Sequence, residues 1–598
     1  MAKRWILGVL AGIVFSILAI YPQYRLYQVR GVEYQGAFAS CDLDEMAYAS
    51  YLQALIDGRP RKNDPYTGRD SEIPESLFSI QFVPTYAAAG VAWIFGLSAS
   101  QVMPVISVSS AFLAALALFW LIVSFTGDEV LSFALTLLVL IFAAFVVGIG
   151  AIGSFTEGGA AYPFFPMMRR PIPSLAFPIF FAFFGCVWNG LKADGRTRTA
   201  YMVSAAVCFT LLVFSYFYLW TAAAAVMAGL VVFYGLLPGE YRTRDLRFLL
   251  SAGLLSLFSL APYAWLLAGR NKMADKAQLL VFTRQPDLSR SIEILGLVVI
   301  VAAALALAFR AAKLSDRRVQ FIAAMALSPV LVFNQQVITG HSLQPFHYEY
   351  YVINYTVLLA FVLLVAVFWV RYLVRFRSVT FILVVLLAAG TISWGYVEAT
   401  ETTEFWDDVN VRRDEAMPVN RRLRELAGSV ESGRDETTLN LEPLQADSQT
   451  TVAPQPVLWA RHQHTFSGVV SWEENKRRYY QLLYYSDLDA HSLRSALTGC
   501  SDIEACMALF GWDRFNPTLS AAARPLTAGE IEEEVESFDT FVRNYSYEQA
   551  SEPLLTYAVI HNASMDRLEN LDRWYFRDGG EVAGEYTLYR LRLRPLGE

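Results

Sequence analysis

A succession of long apolar runs, extending to about Val397, limits what this chain can fold into. A helix needs about 20 apolar residues to cross roughly 30 Å of hydrocarbon; many runs before Val397 reach that length, and none after it does. The chain is 55% hydrophobic and 17% charged, with a mean hydropathy of +0.36. This composition excludes an ordinary soluble protein. The sequence predicts a multi-span membrane part, 1–398, and a water-soluble domain, 399–598.

The basic connections between the runs predict the topology. The first run follows Lys3 and Arg4 and has no small-residue cleavage site after it, which indicates an uncleaved span with a cytoplasmic N-terminus. Keeping the later Lys/Arg-rich connections in the cytoplasm requires about eleven spans and leaves the C-terminal domain outside the cell membrane. After the first helix, the spans are predicted near 103–125, 128–150, 174–191, 201–216, 220–237, 248–268, 294–309, 319–337, 351–370 and 379–397.

This topology collects four segments on the outer side, 24–100, 151–173, 269–293 and 338–350. The apolar run 80–97 is interrupted by Pro84 and Gly90 and is predicted to lie on the outer surface as a juxtamembrane helix. Irregular, polar backbone at a membrane surface can contact both lipid and water. We therefore expect the functional residues in these four segments.

The first outer segment contains three carboxylates in the stretch CDLDEMAYASYLQALIDGR. Asp42 and Glu45 have the spacing of a capping box, which would give these two residues a purely structural role. A helix is predicted from there to Gly58. Asp44 is needed for neither task. Near the positive end of the helix, the Asp44 carboxylate is expected to stay ionised. In that form it can accept a proton or bind a cation.

The second outer segment, SFTEGGAAYPFFPMMRRPIPS, has one acidic residue, Glu157, and two adjacent arginines, Arg169 and Arg170. The arginines could simply anchor at lipid headgroups. Their predicted side is nevertheless the one that is usually poor in basic residues. A pair of guanidiniums suits a phosphate leaving group through bidentate hydrogen bonds.

The third and fourth segments carry further candidates for phosphate or sugar binding. The basic residues of 269–293 indicate that an anionic group binds nearby. For most of them, however, the simpler interpretation is a run of charges exposed to water. In 338–350, a histidine spacing of six residues does not fit a helical metal pair at i, i+4, and hydrogen bonding to a sugar or pyrophosphate is preferred over a metal site. The residues concerned are Arg270, Lys272, Lys276, Arg284 and Arg290 in the third segment and His341, Gln344 and His347 in the fourth.

The order of these features resembles a known family. One N-terminal span is followed by an outer Asp44-Glu45 pair that begins a helix, by Tyr48 four residues after Asp44, and by Gly58 near the helix end. This pattern is similar to that of the polyprenyl-phosphate-dependent glycosyltransferases of the GT-C superfamily, in particular the protein mannosyltransferase and aminoarabinose transferase type. The resemblance covers about the first 400 residues in layout, and its sharp part runs from Asp44 to Gly58. It implies that Asp44 is catalytic, that Glu157 is the second carboxylate, and that the later outer loops contact the lipid phosphate.

The soluble domain is predicted to be an α/β fold. QPVLWARH, LLTYAVIHN and YTLYRLRL are typical of strands, and EENKRRYYQLLYYSD, DIEACMALFG and TAGEIEEEVESFDTFVRNY of helices. Cys500 and Cys506 could form a disulfide in an oxidising compartment, but two cysteines on one helix would point apart, so the sequence leaves their pairing open.

These observations lead to one functional hypothesis with two alternatives. We expect an inverting transfer of a sugar from a polyprenyl-phosphate donor, such as undecaprenyl phosphate, to an acceptor hydroxyl on a protein, lipid or glycan of the cell envelope. Asp44 would be the base, with Glu45, Tyr48, Arg169, Arg170, Arg284, His341, Gln344 and His347 binding substrate. A divalent ion, Mg or Mn, at Asp44, Glu157, His341 or His347 is an open possibility, and no nucleic acid is expected. A lipid-linked glycan transporter or a polysaccharide-binding membrane protein is the alternative, although the nearly charge-free spans disfavour ion-coupled transport.

Overall fold

The computed structural model describes residues 5–156, 165–271, 280–370, 377–465, 469–515, 524–564 and 568–595. Within these ranges, nine helical segments are long and apolar enough to cross a membrane. They are Ile6–Glu33, Ala99–Thr126, Pro171–Lys192, Phe217–Leu236, Arg242–Ala268, Ser291–Ala308, Arg317–Thr339, Pro345–Phe368 and Ser378–Glu404. Each contains or closely overlaps one of the predicted spans. The prediction of a mostly helical, multi-span membrane protein is confirmed.

The remaining two predicted spans are also helices, but they are shorter or more polar. Glu129–Phe142 has only 14 residues and packs against the last long helix. Gly195–Val213 has 19 residues, and Arg196 and Arg198 in its first turn lower its average hydropathy. Both pack within the helical bundle. All eleven predicted spans are therefore helical, and two of them do not meet the length and hydropathy expected of a full crossing.

The first outer helix extends from Asp44 to Ile56 and is almost entirely buried. The predicted capping box at its start is wrong, because the N-cap position is Leu43, which makes no side-chain cap. Asp42 Oδ1 instead accepts the backbone N–H of Asp44 (3.1 Å), and Glu45 Oε1 accepts that of Cys41 (3.4 Å). The helix begins one residue later than the spacing predicts, and Asp42 has other partners, which are described below.

Short helices complete the end of the bundle that carries this helix. The predicted juxtamembrane helix lies at Val83–Phe95 and packs against the first outer helix. A two-stranded antiparallel pair joins Leu280–Phe282, in the third outer segment, to His341–Leu343, in the fourth. The other short helices at this end are Leu77–Ile80, Ala151–Thr156, Pro166–Arg169, Pro171–Ser174, Gln336–Thr339 and Pro345–Tyr348.

The C-terminal part, which the sequence predicts to be a soluble domain from residue 399, contains a five-stranded mixed sheet. Its strands are Thr437–Asn440, Leu555–His561, Tyr575–Arg577, Glu581–Ala583 and Tyr586–Leu593. The strand Leu555–His561 lies between a parallel partner, Thr437–Asn440, and an antiparallel one, Tyr586–Leu593. The surrounding helices are Asp407–Glu415, Met417–Leu426, Val430–Gly433, Pro443–Gln449, His462–Thr465, Trp472–Tyr485, Ala490–Leu497, Ile503–Phe510, Trp512–Phe515, Ala528–Arg543, Tyr547–Ser551 and Glu569–Trp574.

Two details of this domain differ from the sequence reading. QPVLWARH is not a strand, because its backbone bonds go to two different elements: the N–H of Val457 bonds to Tyr66 and that of Leu458 to Thr438. The strand beside Leu555–His561 is instead Thr437–Asn440. The two cysteines do pair, as Cys500–Cys506. Cys500 precedes the helix Ile503–Phe510 in a separate short turn, so the two side chains are not fixed on one helix.

The soluble domain is docked on the membrane part by charged and polar contacts. Arg25, in the first span, binds Asp407 (2.8 Å). Arg30 binds the fully buried Asp414 (3.0 Å), which also accepts the backbone N–H groups of Gln35 and Ala37. A carboxylate with this many donors fixes the geometry of the chain that donates them. The soluble domain is therefore held directly over the end of the bundle that carries Asp44.

Candidate active site

Asp44 lies at the centre of a cluster of charged side chains. One carboxylate oxygen, Oδ2, accepts a hydrogen bond from Nη2 of Arg170, and the other, Oδ1, lies 3.4 Å from Nε2 of His462. The Asp44 side chain is 27% exposed and that of Arg170 13%. Burial by itself would raise the pKa of Asp44, but Arg170 and His462 outweigh it and hold the pKa below its ordinary value. Asp44 is thus an accessible, ionised carboxylate between two cations.

Asp42 holds the two arginines of the second outer segment together. Its Oδ2 lies 2.8 Å from Nη2 of Arg169 and 2.8 Å from Nε of Arg170. Arg169 also packs over the ring of Tyr351, 4.5 Å from its centroid. The adjacent arginines are therefore not splayed toward lipid headgroups. They are turned inward and face the start of the first outer helix.

The soluble domain contributes a histidine that the sequence analysis did not identify. His462 is 2% exposed and lies between two carboxylates, with Nδ1 3.2 Å from Oδ1 of Asp447 and Nε2 facing Asp44. Burial would lower its pKa, but Asp447 and Asp44 outweigh burial and raise the pKa to about 9. At neutral pH the ring is therefore an imidazolium that donates one N–H to each carboxylate. We call Asp42, Asp44, Arg169, Arg170, His347, Asp447 and His462 the Asp44 cluster.

The fourth outer segment completes the cluster through His347 and Gln344. Nε2 of His347 lies 3.5 Å from Nη1 of Arg170, and the histidine ring stacks on Tyr218 with a centroid distance of 4.9 Å and an interplanar angle of 9°. The hydroxyl of Tyr218 donates to Oε1 of Gln344 (2.7 Å). Tyr218 thus orients both predicted residues. Nδ1 of His347 is buried and makes no hydrogen bond to any described residue.

Two predicted residues of the first outer helix face the interior beside the cluster. Glu45 is fully buried, and burial raises its pKa well above the ordinary value. It is a neutral neighbour rather than a member of the ion pairs. Tyr48 is 7% exposed and packs edge-on against Phe78 at 5.1 Å. Neither side chain offers much surface to a substrate.

Arg284 and His341 lie outside the cluster. Arg284 donates to the carbonyls of Val337 and Ile338 (3.0 and 2.9 Å), and Nδ1 of His341 bonds to the carbonyl of Thr339 (2.7 Å). His341 begins the second strand of the antiparallel pair, and Arg284 lies two residues beyond the end of the first. Arg290, in the same segment, pairs with Asp287 and Glu349. Its anionic partners are therefore carboxylates of the chain itself. Glu157, Lys272 and Lys276 lie outside the described residues.

The elevated pKa of His462 predicts how stability depends on pH. Because the folded-state pKa of about 9 exceeds the ordinary value, the stabilisation is complete below about pH 6.5 and is lost as the pH rises through about 9. The shift corresponds to about 3 kcal/mol. We expect the melting temperature of the wild type to fall more between pH 6.5 and 9.5 than that of His462→Gln.

The exposed His491 provides the control for this measurement. His491→Gln should keep the pH dependence of the wild type. Parallel melting curves for the wild type and His462→Gln across this pH range would contradict the protonated, doubly paired state of His462.

No model of a protein family matches the chain, and no curated protein matches it. Among solved structures, the chain is similar to ArnT from Cupriavidus metallidurans, whose crystal structure was determined bound to undecaprenyl phosphate. The sequences are 12% identical, the TM-score is 0.41, and the alignment covers 99% of this chain and 98% of that one.

Proposed function

We propose that the protein is an integral membrane glycosyltransferase that moves a sugar from a polyprenyl-phosphate donor to an acceptor hydroxyl. The observation that carries this proposal is the Asp44 cluster itself. It unites a partly exposed carboxylate, two adjacent guanidiniums and two imidazoles, contributed by three outer segments and the soluble domain. Sugar transfer from a phosphate needs a carboxylate beside the nucleophile and cations beside the leaving group.

In the proposed reaction, Asp44 accepts the proton of the acceptor hydroxyl as its oxygen attacks the anomeric carbon. The bond between that carbon and the phosphate oxygen breaks, and its electron pair stays with the polyprenyl phosphate. A single displacement of this kind inverts the configuration. Arg169 and Arg170 can bind the phosphate, which gains one negative charge as it leaves. Nδ1 of His347, buried beside Arg170, is a further group for the phosphate or the sugar.

Arg170 links the two halves of this reaction. While it binds Asp44, the carboxylate is a weak base, because the cation holds its pKa low. An incoming phosphate competes for the same guanidinium. As Arg170 turns toward the phosphate, Asp44 loses its strongest cation and becomes more basic. We propose that donor binding in this way activates Asp44, while the imidazolium of His462 keeps the carboxylate oriented.

The residues present do not suit a divalent metal at Asp44. Both of its oxygens face cationic groups, Arg170 and His462, and a metal ion would have to displace one of them against charge repulsion. His341 contacts Thr339 and Phe282 rather than the cluster. Within the described ranges, no group of three or more His, Cys, Asp or Glu side chains is arranged to hold a metal. No step of the proposed reaction uses a metal.

The proposal is tested by assaying purified protein in nanodiscs with radiolabelled sugars on undecaprenyl phosphate and with cell-envelope fractions as acceptors. We expect label to enter an acceptor fraction, with release of one undecaprenyl phosphate per sugar transferred. The same donors are then enclosed in proteoliposomes. If the label crosses the bilayer while still attached to its lipid, and no sugar is transferred, the protein is a transporter and the proposal is wrong.

A further inference from the structure

A second candidate site lies at the end of the bundle opposite the Asp44 cluster. It is a cavity of about 530 Å³ bounded by four stretches at helix ends, 124–127, 188–192, 234–245 and 315–320. The helix Ala99–Thr126 begins beside Gln53 of the first outer helix and ends at this cavity. Its 28 residues span about 40 Å at 1.5 Å per residue. The cavity is therefore separate from the proposed sugar-transfer site.

Three cations that line this cavity have no carboxylate partner among the residues that the structure describes. Nζ of Lys192 donates to the carbonyl of Ser124 (2.6 Å) and Arg242 donates to that of Gly235, while the guanidinium of the exposed Arg318 bonds to no described residue. Hydrogen bonds to carbonyls leave a full positive charge in place. The lining also contains Arg317 and the acidic residues Glu240, Asp245 and Asp316.

The lining holds four cations and three carboxylates, and of the carboxylates only Asp245 is engaged in ion pairs with described residues, while Glu240 and Asp316 keep their charges. Asp245 is 1% exposed and is clamped by Arg317 through two bonds (2.6 and 3.1 Å) and by Arg198 (3.2 Å). Asp316 accepts the backbone N–H of Arg318 at the start of its helix (2.9 Å). Arg317 in turn stacks on the ring of Tyr241 at 4.6 Å. The wall of the cavity is thus fixed by ion pairs and stacking before any ligand binds.

A buried hydroxyl gives independent evidence for a ligand. Tyr234 lines the cavity and is 3% exposed, yet its hydroxyl bonds to no group in the described part of the chain. A buried tyrosine hydroxyl normally has a hydrogen-bond partner, because leaving it unpaired costs free energy. A donor of this kind beside unpaired cations fits a phosphate oxygen.

We propose that this cavity binds the phosphate of an anionic phospholipid headgroup. Tyr234 donates to the phosphate, and Lys192, Arg242 and Arg318 supply the positive charge. The apolar side chains of Phe125, Trp188 and Leu237 also line the cavity and suit the glycerol and the first acyl carbons. The connections that form it are those predicted to face the cytoplasm, where the lipid surface is negatively charged. A lipid source is therefore favoured over free phosphate.

The test is a calorimetric titration of the detergent-solubilised full chain with dihexanoyl phosphatidylglycerol below its micelle concentration. We expect saturable binding, with little binding of the matching phosphatidylcholine. Lys192→Gln/Arg318→Gln should raise the Kd about tenfold or more. Tyr234→Phe should raise it about tenfold, since the deleted hydrogen bond goes to a charged group.

The control is Arg196→Gln/Arg247→Gln, which removes two exposed positive charges from helices at the same end without touching the cavity. It should leave the Kd within about twofold of the wild-type value. This change is smaller than the effect of deleting one hydrogen bond. An equal loss of affinity in this control would overturn the site, as would an unchanged Kd in Tyr234→Phe. Binding of inorganic phosphate as tight as that of phosphatidylglycerol, at constant ionic strength, would overturn the lipid assignment. Neither result depends on sugar-transfer activity.

Discussion

Asp44→Asn is expected to lower the rate of sugar transfer by about 100 to 10,000-fold, the usual contribution of a general base. Asparagine keeps the shape of the side chain and can still accept a hydrogen bond from Arg170, so the loss should appear in kcat rather than in donor binding. Because the Asp44 carboxylate pairs with Arg170 and His462, removing its charge should also lower the melting temperature, although Arg170 keeps Asp42 and His462 keeps Asp447 as a partner. The measurement is the initial rate of label transfer at saturating donor.

A matched control exists on another helix at the same end of the bundle. Asp408 occupies the first turn of Asp407–Glu415, is exposed, and forms no ion pair with any described residue. Asp408→Asn removes the same charge from the same kind of helical position and should transfer sugar at the wild-type rate. Equal rates for Asp44→Asn and the wild type would show that Asp44 has only a structural role, and would contradict the proposed reaction.

Arg170→Gln is expected to have the second largest effect, on stability as well as on activity. It removes a cation that binds both Asp42 and Asp44, and breaking a buried ion pair on one side typically costs about 3 kcal/mol or more. Losing a guanidinium beside the leaving group should also reduce transfer about 100 to 1,000-fold. Arg170→Lys keeps the charge but loses the forked geometry of the guanidinium. Its activity and stability should lie between those of the wild type and those of Arg170→Gln.

Two further variants separate the effects of Arg170. The double variant Asp44→Asn/Arg170→Gln lacks the unpaired carboxylate, so it should melt at a higher temperature than Arg170→Gln while transferring no faster. Arg284→Gln should lose far less activity than Arg170→Gln, because among the described residues Arg284 bonds only to backbone carbonyls of the helix Gln336–Thr339. If Arg284→Gln is the more damaging variant, the phosphate site lies in the third outer segment and our placement is wrong.

The sequence predicted the spans well because crossing a bilayer imposes a length and a composition on each helix. It also indicated Arg169 and Arg170, whose position on the predicted outer side is unusual for basic residues. Sequence position could not separate Arg170 from Arg284. Both are arginines in outer loops, and only the folded backbone determines that one faces Asp44 while the other bonds to carbonyls of the helix Gln336–Thr339.

His462 and Asp447 carried no recognisable signal. They are 418 and 403 positions beyond Asp44 in the numbering, in a domain whose strands were partly misplaced. His462 ends the segment QPVLWARH, which resembles a strand because of its apolar residues. Its backbone instead bridges the soluble domain and Tyr66 of the first outer segment. A contact formed by docking two parts of a chain leaves no periodic pattern in either part.

The pairing of Asp44 with His462 also limits how such a protein could be re-engineered. One such change would be an exchange of residues 399–598 for the corresponding part of a relative. That exchange would also replace the imidazole that orients the proposed base, together with its supporting Asp447. Chimeras should therefore retain this histidine–aspartate couple, grafting only the surface farther from the membrane.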